Sequence, residues 1–325
     1  MKAGAGLAVV GALDGFVIEP HYRMVAEPVH IRLARLPEAF EGLRIAQITD
    51  IHFGPNIGHK IVEESLVIAR AFNPDVVVLS GDFVAHPFGK DNGREGARFA
   101  EPCADLLVGL KNVPQLAILG NHDHWNDPEI VHHALADRGI TVLRNSSWVM
   151  ERDGQRLWFA GIDDAFELKA DMHATLARVP AGEATVLLAH EPDYADYAVR
   201  FPVDLQLSGH SHGGQVRLPG MGPLILPALA RKYHTGLNRV GSLQVYTSRG
   251  IGVINPPVRF NCPPEVTLIT LHSARGLTSH HALLPAGVYC PPLGAAAAAR
   301  QRQEVPVQWH CEAFPRQRPR NLRKT

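Results

Sequence analysis

Leu43 to Pro55 reads LRIAQITDIHFGP, an apolar run of strand length that breaks at Asp50 and meets a histidine two residues later. The same form recurs along the chain. Strands are expected over 43–49, 75–80, 115–119, 157–161, 185–189, 203–208, 243–247 and 266–271, and the VVVL and VLLA runs are continuous enough to be buried on both faces. Helical patterns fill two of the gaps. One is expected over 57–72, stopped by Asn73-Pro74, and one over 128–138, with Asp127 as N-cap, Pro128 in the first position and Gly139 as the stop. Alternation of that kind predicts an α/β fold with about eight strands.

Five of these strands end in polar clusters: Asp50-Ile51-His52, Gly81-Asp82, Gly120-Asn121-His122-Asp123, Ala189-His190, and Gly209-His210-Ser211-His212-Gly213-Gly214. A lone polar residue at a strand end is usually a turn or a cap. Ligand crevices of open α/β sheets lie beyond the carboxyl ends of the strands, so five such endings predict one shared site. A period of two places Asp50 and His52 on one side, and His210 with His212 repeats the spacing. His59, His86 and His124 lie near these motifs but are expected at the surface or behind the site.

Two carboxylates, one amide and four histidines without a thiolate form a nitrogen and oxygen donor set suited to Mn, Zn, Fe or Ni. Seven ligands exceed one tetrahedral ion. Two divalent transition-metal ions sharing a carboxylate fit them better, and that arrangement clamps the attacking and leaving oxygens of phosphoryl transfer. Two such cations, less Asp50, Asp82 and a bridging hydroxide, leave a small positive charge for an anionic substrate.

DxH at Asp50 and His52, GD at 81–82, GNHD at 120–123, the solitary His190 and GHSHGGQ at 209–215 resemble the full signature of the calcineurin-like metallophosphoesterases. The resemblance implies a four-layer α/β/β/α metallophosphoesterase sandwich with two mixed β-sheets. It implies one metal on Asp50, His52, Asp82 and His212 and a second on Asp82, Asn121, His190 and His210, with Asp82 bridging. His122 would be a catalytic histidine, oriented by Asp123, that stabilises developing charge or protonates the leaving oxygen. From about Phe16 to Leu271 the chain is similar to the YaeI/YkuE-type phosphodiesterase branch, some members of which resemble UDP-2,3-diacylglucosamine hydrolases. The implied activity is hydrolysis of phosphodiester or pyrophosphate bonds by a metal-activated hydroxide, with a lipid-linked phosphate ester as one candidate substrate and a membrane surface as one candidate partner. A non-catalytic scaffold of the same fold and a nucleic-acid-directed phosphodiesterase are the competing readings.

Composition narrows these. The 325 residues are 46% apolar and 20% charged, as in a globular chain, and 32 basic residues balance 32 acidic ones, so no overall basic footprint for nucleic acid exists. The 18 histidines equal Phe and Tyr combined. Cys103, Cys262, Cys290 and Cys311 show no CxxC spacing and read as ordinary thiols.

Three segments follow: an apolar segment and lead-in over 1–42, the phosphoesterase domain over 43–272, and a tail over 273–325. The tail carries eight Lys or Arg against two Glu, and only nine of its 53 residues are Leu, Ile, Val or Phe. It is expected to be disordered, with a short helix at the alanine run 295–299 and a phosphate-binding arm as options. AGAGLAVVGAL at 3–13 is too short to span a bilayer and leaves two readings open, membrane association or a buried strand or helix. The broken apolar stretch VRLPGMGPLILPAL at 216–229 likewise reads either as a plug between the sheets or as an apolar lip beside the site.

Overall fold

A computed structural model describes residues 13–86, 94–110 and 113–274. The expected tail from residue 275 onwards and the apolar residues 3–12 lie outside the described residues. The strands, numbered in chain order, are β1 Val25–Leu33, β2 Arg44–Ile48, β3 Val76–Ser80, β4 Gln115–Ile118, β5 Thr141–Val142, β6 Ser146–Arg152, β7 Gln155–Gly161, β8 Thr185–Leu188, β9 Leu205–Ser208, β10 Arg217–Leu218, β11 Gly222–Pro223, β12 Gly236–Val240, β13 Leu243–Thr247 and β14 Glu265–Ser273. Every strand expected from the sequence is present.

Two mixed six-stranded sheets result, ordered β1-β14-β2-β3-β4-β5 and β12-β13-β9-β8-β7-β6, with β10-β11 as a separate small hairpin. In the first, β2, β3, β4 and β5 run parallel and β14 opposes β2; in the second, β7, β8, β9 and β13 run parallel between antiparallel neighbours.

Strand periodicity sorts the buried residues into three cores, and the cores define four layers. Along β3, Val76 and Val78 pack in the cluster shared with Val186, Leu188, Leu205 and Leu207 of the second sheet, while Val77 and Leu79 pack against Ile61, Val62, Leu66 and Ala69 of the helix His59–Phe72. Along β8, Leu187 turns the other way, onto Ala195, Ala198 and Met172 on the outer side of the second sheet. The architecture is therefore helix, sheet, sheet, helix.

Helix ends follow the sequence signals. Asn73 takes the left-handed conformation (φ 51°) and ends the helix before Pro74. Asp127 Oδ1 accepts from Glu129 N and Ile130 N at 3.2 Å each and caps the helix Pro128–Ala136. That helix stops two residues earlier than expected, because Gly139 N already bonds Ala136 O at 2.9 Å. No helix among the described residues is long and apolar enough to cross a membrane.

Candidate metal centre

Carboxyl ends of β2, β3 and β4 in one sheet and β8 and β9 in the other point to the same end of the sandwich, and there the polar clusters meet. Asp50, His52, Asp82, Asn121, His190, His210 and His212 are all buried. Their facing atoms form overlapping groups: Asp50 with His52 and His212, His52 with Asp82 and His122, and Asp82 with His190 and His210. Asp82 Oδ2 lies 3.4 Å from His52 Nε2 and 3.2 Å from His190 Nε2. His212 Nε2 lies 3.0 Å from His52 Nε2 and 3.4 Å from Asp50 Oδ1. Six of the seven residues expected as ligands thus converge, Asn121 is buried beside them at the start of its helix, and His122 stands closer than expected.

Local backbone does this differently from the expected strand alternation. Asp50, His52, Asp82, His210 and His212 lie past their strands with φ of 51°, 47°, 56°, 64° and 48°, a left-handed region that non-glycine residues rarely occupy. The period of two is therefore not what brings Asp50 and His52 together. Their turn is held by the neighbouring one: Asp50 N donates to Gly81 O and His52 N to Asp82 O, both at 3.0 Å. Space is tight, and a Cβ on Gly81 would stand 2.7 Å from His190 Nδ1. Nor does an extended chain turn His122 away from Asn121, since both open the short helix Asn121–Asn126.

Surrounding hydrogen bonds fix the rings. His190 Nδ1 pairs with Ser80 O at 2.7 Å and His210 Nε2 with Ala228 O at 2.9 Å, leaving the opposite nitrogen of each ring for the site. Asp50 accepts from Thr49 Oγ1 at 2.9 Å and from His210 N at 2.9 and 3.1 Å. Asp123 departs from its expected role. Its carboxylate accepts from the backbone N–H of Asp82, Phe83, Val84 and Gly120 at 2.8–3.3 Å, and His122 Nδ1 has no partner among the described residues. Asp123 holds the turn that presents Asp82 and does not orient the His122 ring.

Charge is concentrated here away from bulk solvent. Burial lifts Asp50 to about 7, with His190 opposing and Asp82 adding to the rise. Burial also opposes the charge on His190, yet Asp82, Asp50 and Glu191 outweigh it and hold the ring well above its ordinary value. Asp82 also sits in a site that penalises charge, but His190 and His122 keep it well below the usual carboxylate range. Desolvation drops His52 to about 3 and His122 to about 4, and lowers His210 and His212, so these rings stay neutral and able to bind a cation.

The donor set fits divalent ions by a direct observation. Asn121 Oδ1 is buried with no hydrogen-bond partner among the described residues, an arrangement that costs stability unless a cation completes it. Of the histidines set aside from the sequence, His124 Nε2 binds Asp163 Oδ1 at 2.7 Å, and His86 lies 6.2 Å from His122 as an edge-on neighbour.

Residues 43–214 match the sequence profile of the calcineurin-like phosphoesterases. The chain belongs to that family. It is 34% identical over 276 residues to the metallophosphoesterase YkuE of Bacillus subtilis (strain 168), covering 83% of this chain and 93% of that one. It is 30% identical over 251 residues to phosphodiesterase YaeI of Escherichia coli (strain K12), covering 75% and 88%. A transmembrane protein with a metallophosphoesterase domain from Danio rerio is 32% identical over 271 residues, and there the match covers 76% of this chain and 57% of the relative. This calcineurin-like phosphoesterase is accordingly a metal-binding hydrolase of phosphoric esters.

Around the centre stand aromatic groups the sequence did not mark and an apolar stretch that it did. Trp125 lies 4.7 Å from His122 and 5.8 Å from Phe166, and Phe166 lies 6.1 Å from His210, so an aromatic wall borders both histidines. Leu168 beyond it is 90% exposed. Across His210, the stretch 216–229 is no plug between the sheets: Met221, Leu224 and Ile225 are 75%, 53% and 81% exposed. The aromatic wall has no motif, because an aromatic near a site reads from sequence as core, whereas the exposure of 216–229 fits the lip reading.

Proposed function

We propose that this chain hydrolyses phosphodiester or pyrophosphate bonds with two divalent transition-metal ions, one held by Asp50, His52, Asp82 and His212 and the other by Asp82, Asn121, His190 and His210. One observation carries the reading: a single carboxylate oxygen of Asp82 faces a histidine nitrogen on either side, 3.4 and 3.2 Å away, as a bridging ligand must. When bound, the ions supply Lewis acidity, drawing charge from phosphoryl oxygens and lowering the pKa of a water.

The side chains do the rest. His122, neutral at pH 7 because burial drops it to about 4, serves as a hydrogen-bond donor to the charge that develops on the phosphate rather than as a charged acid. Asp123 keeps Asp82 in place through the backbone. The wall of Trp125 and Phe166 excludes water on one side and offers apolar surface to the organic part of the substrate.

That surface, with exposed Leu168, Met221, Leu224 and Ile225, favours a lipid-linked ester presented at a membrane surface. The name of the Danio rerio relative agrees with such a setting. The test is metal analysis of the reconstituted protein, followed by turnover on matched diesters with and without an acyl chain. Two ions per chain and a lower KM for the acylated ester are expected. One ion per chain, or no preference for the acyl chain, sinks the corresponding half.

A further inference from the structure

Asp50 and His212, on the first of the two proposed ion sites, are supported by a loop that the second site does not use. In the loop 249–262, Ile251 N donates to Thr49 O at 3.1 Å and Gly252 N to Asp50 O at 2.7 Å. The approach is close enough that a Cβ on Gly250, at φ +68°, would stand 2.6 Å from Asp50 Cβ. At the far end of the loop, Cys262 Sγ reaches His212 O at 3.3 Å.

Two buried charged residues hold this loop. The Arg259 side chain is fully buried, and its guanidinium donates to the carbonyls of Arg249, Gly250, Gly252 and Cys262 at 2.7–3.1 Å. Five donors in a rigid planar fork can gather four carbonyls at once, where an ammonium has only three donors and no fixed plane. Glu19, only 3% exposed, accepts from Asn261 N at 2.9 Å and from Cys262 N. It belongs to the helical turns 14–22, whose Gly15 O also accepts Arg259 N at 2.9 Å. Burying a carboxylate and a guanidinium is costly, and the hydrogen bonds of both go to backbone groups of this one loop, with Arg23 3.9 Å from Glu19 as its only ion pair among the described residues. The rings of His190 and His210 and the backbone of Asp82 rest instead on Ser80, Ala228 and Asp123, although His210 N also donates to Asp50.

We infer that Glu19 and Arg259 are positioning residues for the Asp50, His52 and His212 half of the metal centre, so that the segment 14–22 governs how tightly one of the two ions is held. The inference rests on the dinuclear reading above. It concerns affinity at one ion site and not the fold as a whole, which makes the asymmetry its signature.

The experiment titrates Mn2+ into the metal-stripped full chain, by calorimetry and by metal analysis after dialysis, for wild type, Glu19→Gln and Arg259→Lys, with melting temperatures alongside. Each variant is expected to weaken one ion by about tenfold or more, the range typical of residues behind the ligands, and to leave the other unchanged. Two ions bound as in wild type would overturn the inference, as would equal weakening of both in step with a lower melting temperature. A wild-type chain that takes a single ion would instead overturn the dinuclear reading, and the inference with it. Glu19→Gln keeps the shape of the side chain and carries the test alone if Arg259→Lys does not fold.

Discussion

The two ends of the sandwich are both rich in charge, yet only one is a centre for chemistry. At the opposite end, a cavity of about 600 Å³ is lined by Arg35, Glu38, Glu151, Arg156 and Glu183 among others. Its two arginines have partners, Arg156 with Glu183 and Arg35 with Asp204 at 2.7 Å, and they reach solvent. At the metal end the carboxylates and imidazoles are buried, and several of their atoms lack a partner among the described residues. A charged groove is ordinary surface; a buried set with unmet donors and acceptors fits a bound cation.

Asp82 is the sharpest point of that contrast. Asp82→Asn removes the one charge that faces both histidine groups, so both ions should be lost or greatly weakened. Turnover should fall by about 10³-fold or more, corresponding to several kcal/mol of lost charge stabilisation. Metal analysis beside kinetics checks it. Retention of both ions at wild-type affinity would remove Asp82 from the bridge.

His122→Ala should keep both ions and still lose about 10²–10³-fold in turnover, the cost of one transition-state donor. Because the ring is neutral at pH 7, the loss should be similar for activated and poor leaving groups. A loss confined to poor leaving groups would restore the proton-donor role.

The sequence made the central strands and the ligands legible for a physical reason. Strands such as β3 and β8, covered on both faces, must be apolar throughout, and the abrupt change at Ser80-Gly81-Asp82 marks where that cover ends. The edges were not legible. β1 contains Pro28 and exposes every second residue, as an edge strand can, and β6 is only half buried along its length. Left-handed φ at Asp50 and His52 had no signal either, since non-glycine residues there are rare and nothing local demands it. Glu19 and Arg259 were illegible because their partners are backbone groups, which every residue carries.

Proton competition separates two groups within the metal end. In the metal-free chain Asp50 titrates near 7 and His190 stays protonated above its ordinary range, so each must give up a proton to bind a cation. Asp50 competes only below about pH 7, whereas His190 competes across neutrality. Apparent metal affinity should therefore rise with pH, by up to about tenfold per unit for each proton displaced, and steepen below pH 7. Affinity measured from pH 6 to 8 tests the sign, and a flat profile would mean that neither group is a ligand.

Smaller still is the effect expected at the apolar lip. Leu224→Ser and Ile225→Ser alter exposed side chains, so stability should hold. KM for an acylated diester should rise while a small soluble diester is unaffected, since uniform binding is all that is removed. Equal effects on both substrates would detach the lip from substrate binding.

The least effect belongs to the far end. Arg156 is 42% exposed and pairs with Glu183, whose carboxylate also accepts from Trp158 Nε1. Arg156→Gln removes a screened charge pair and leaves Glu183 its second partner, so no buried group is stranded. Exposed pairs contribute up to about 1 kcal/mol and often nothing measurable, so the melting temperature should move by no more than about 2–4 °C. Metal content and turnover should stay as in wild type, because nothing in this pair touches the strand ends that carry Asp50, Asp82 or His190. If Arg156→Gln instead lowers metal affinity, the distant groove and the metal centre are coupled through β7 and β8, and the groove is something more than paired surface charge.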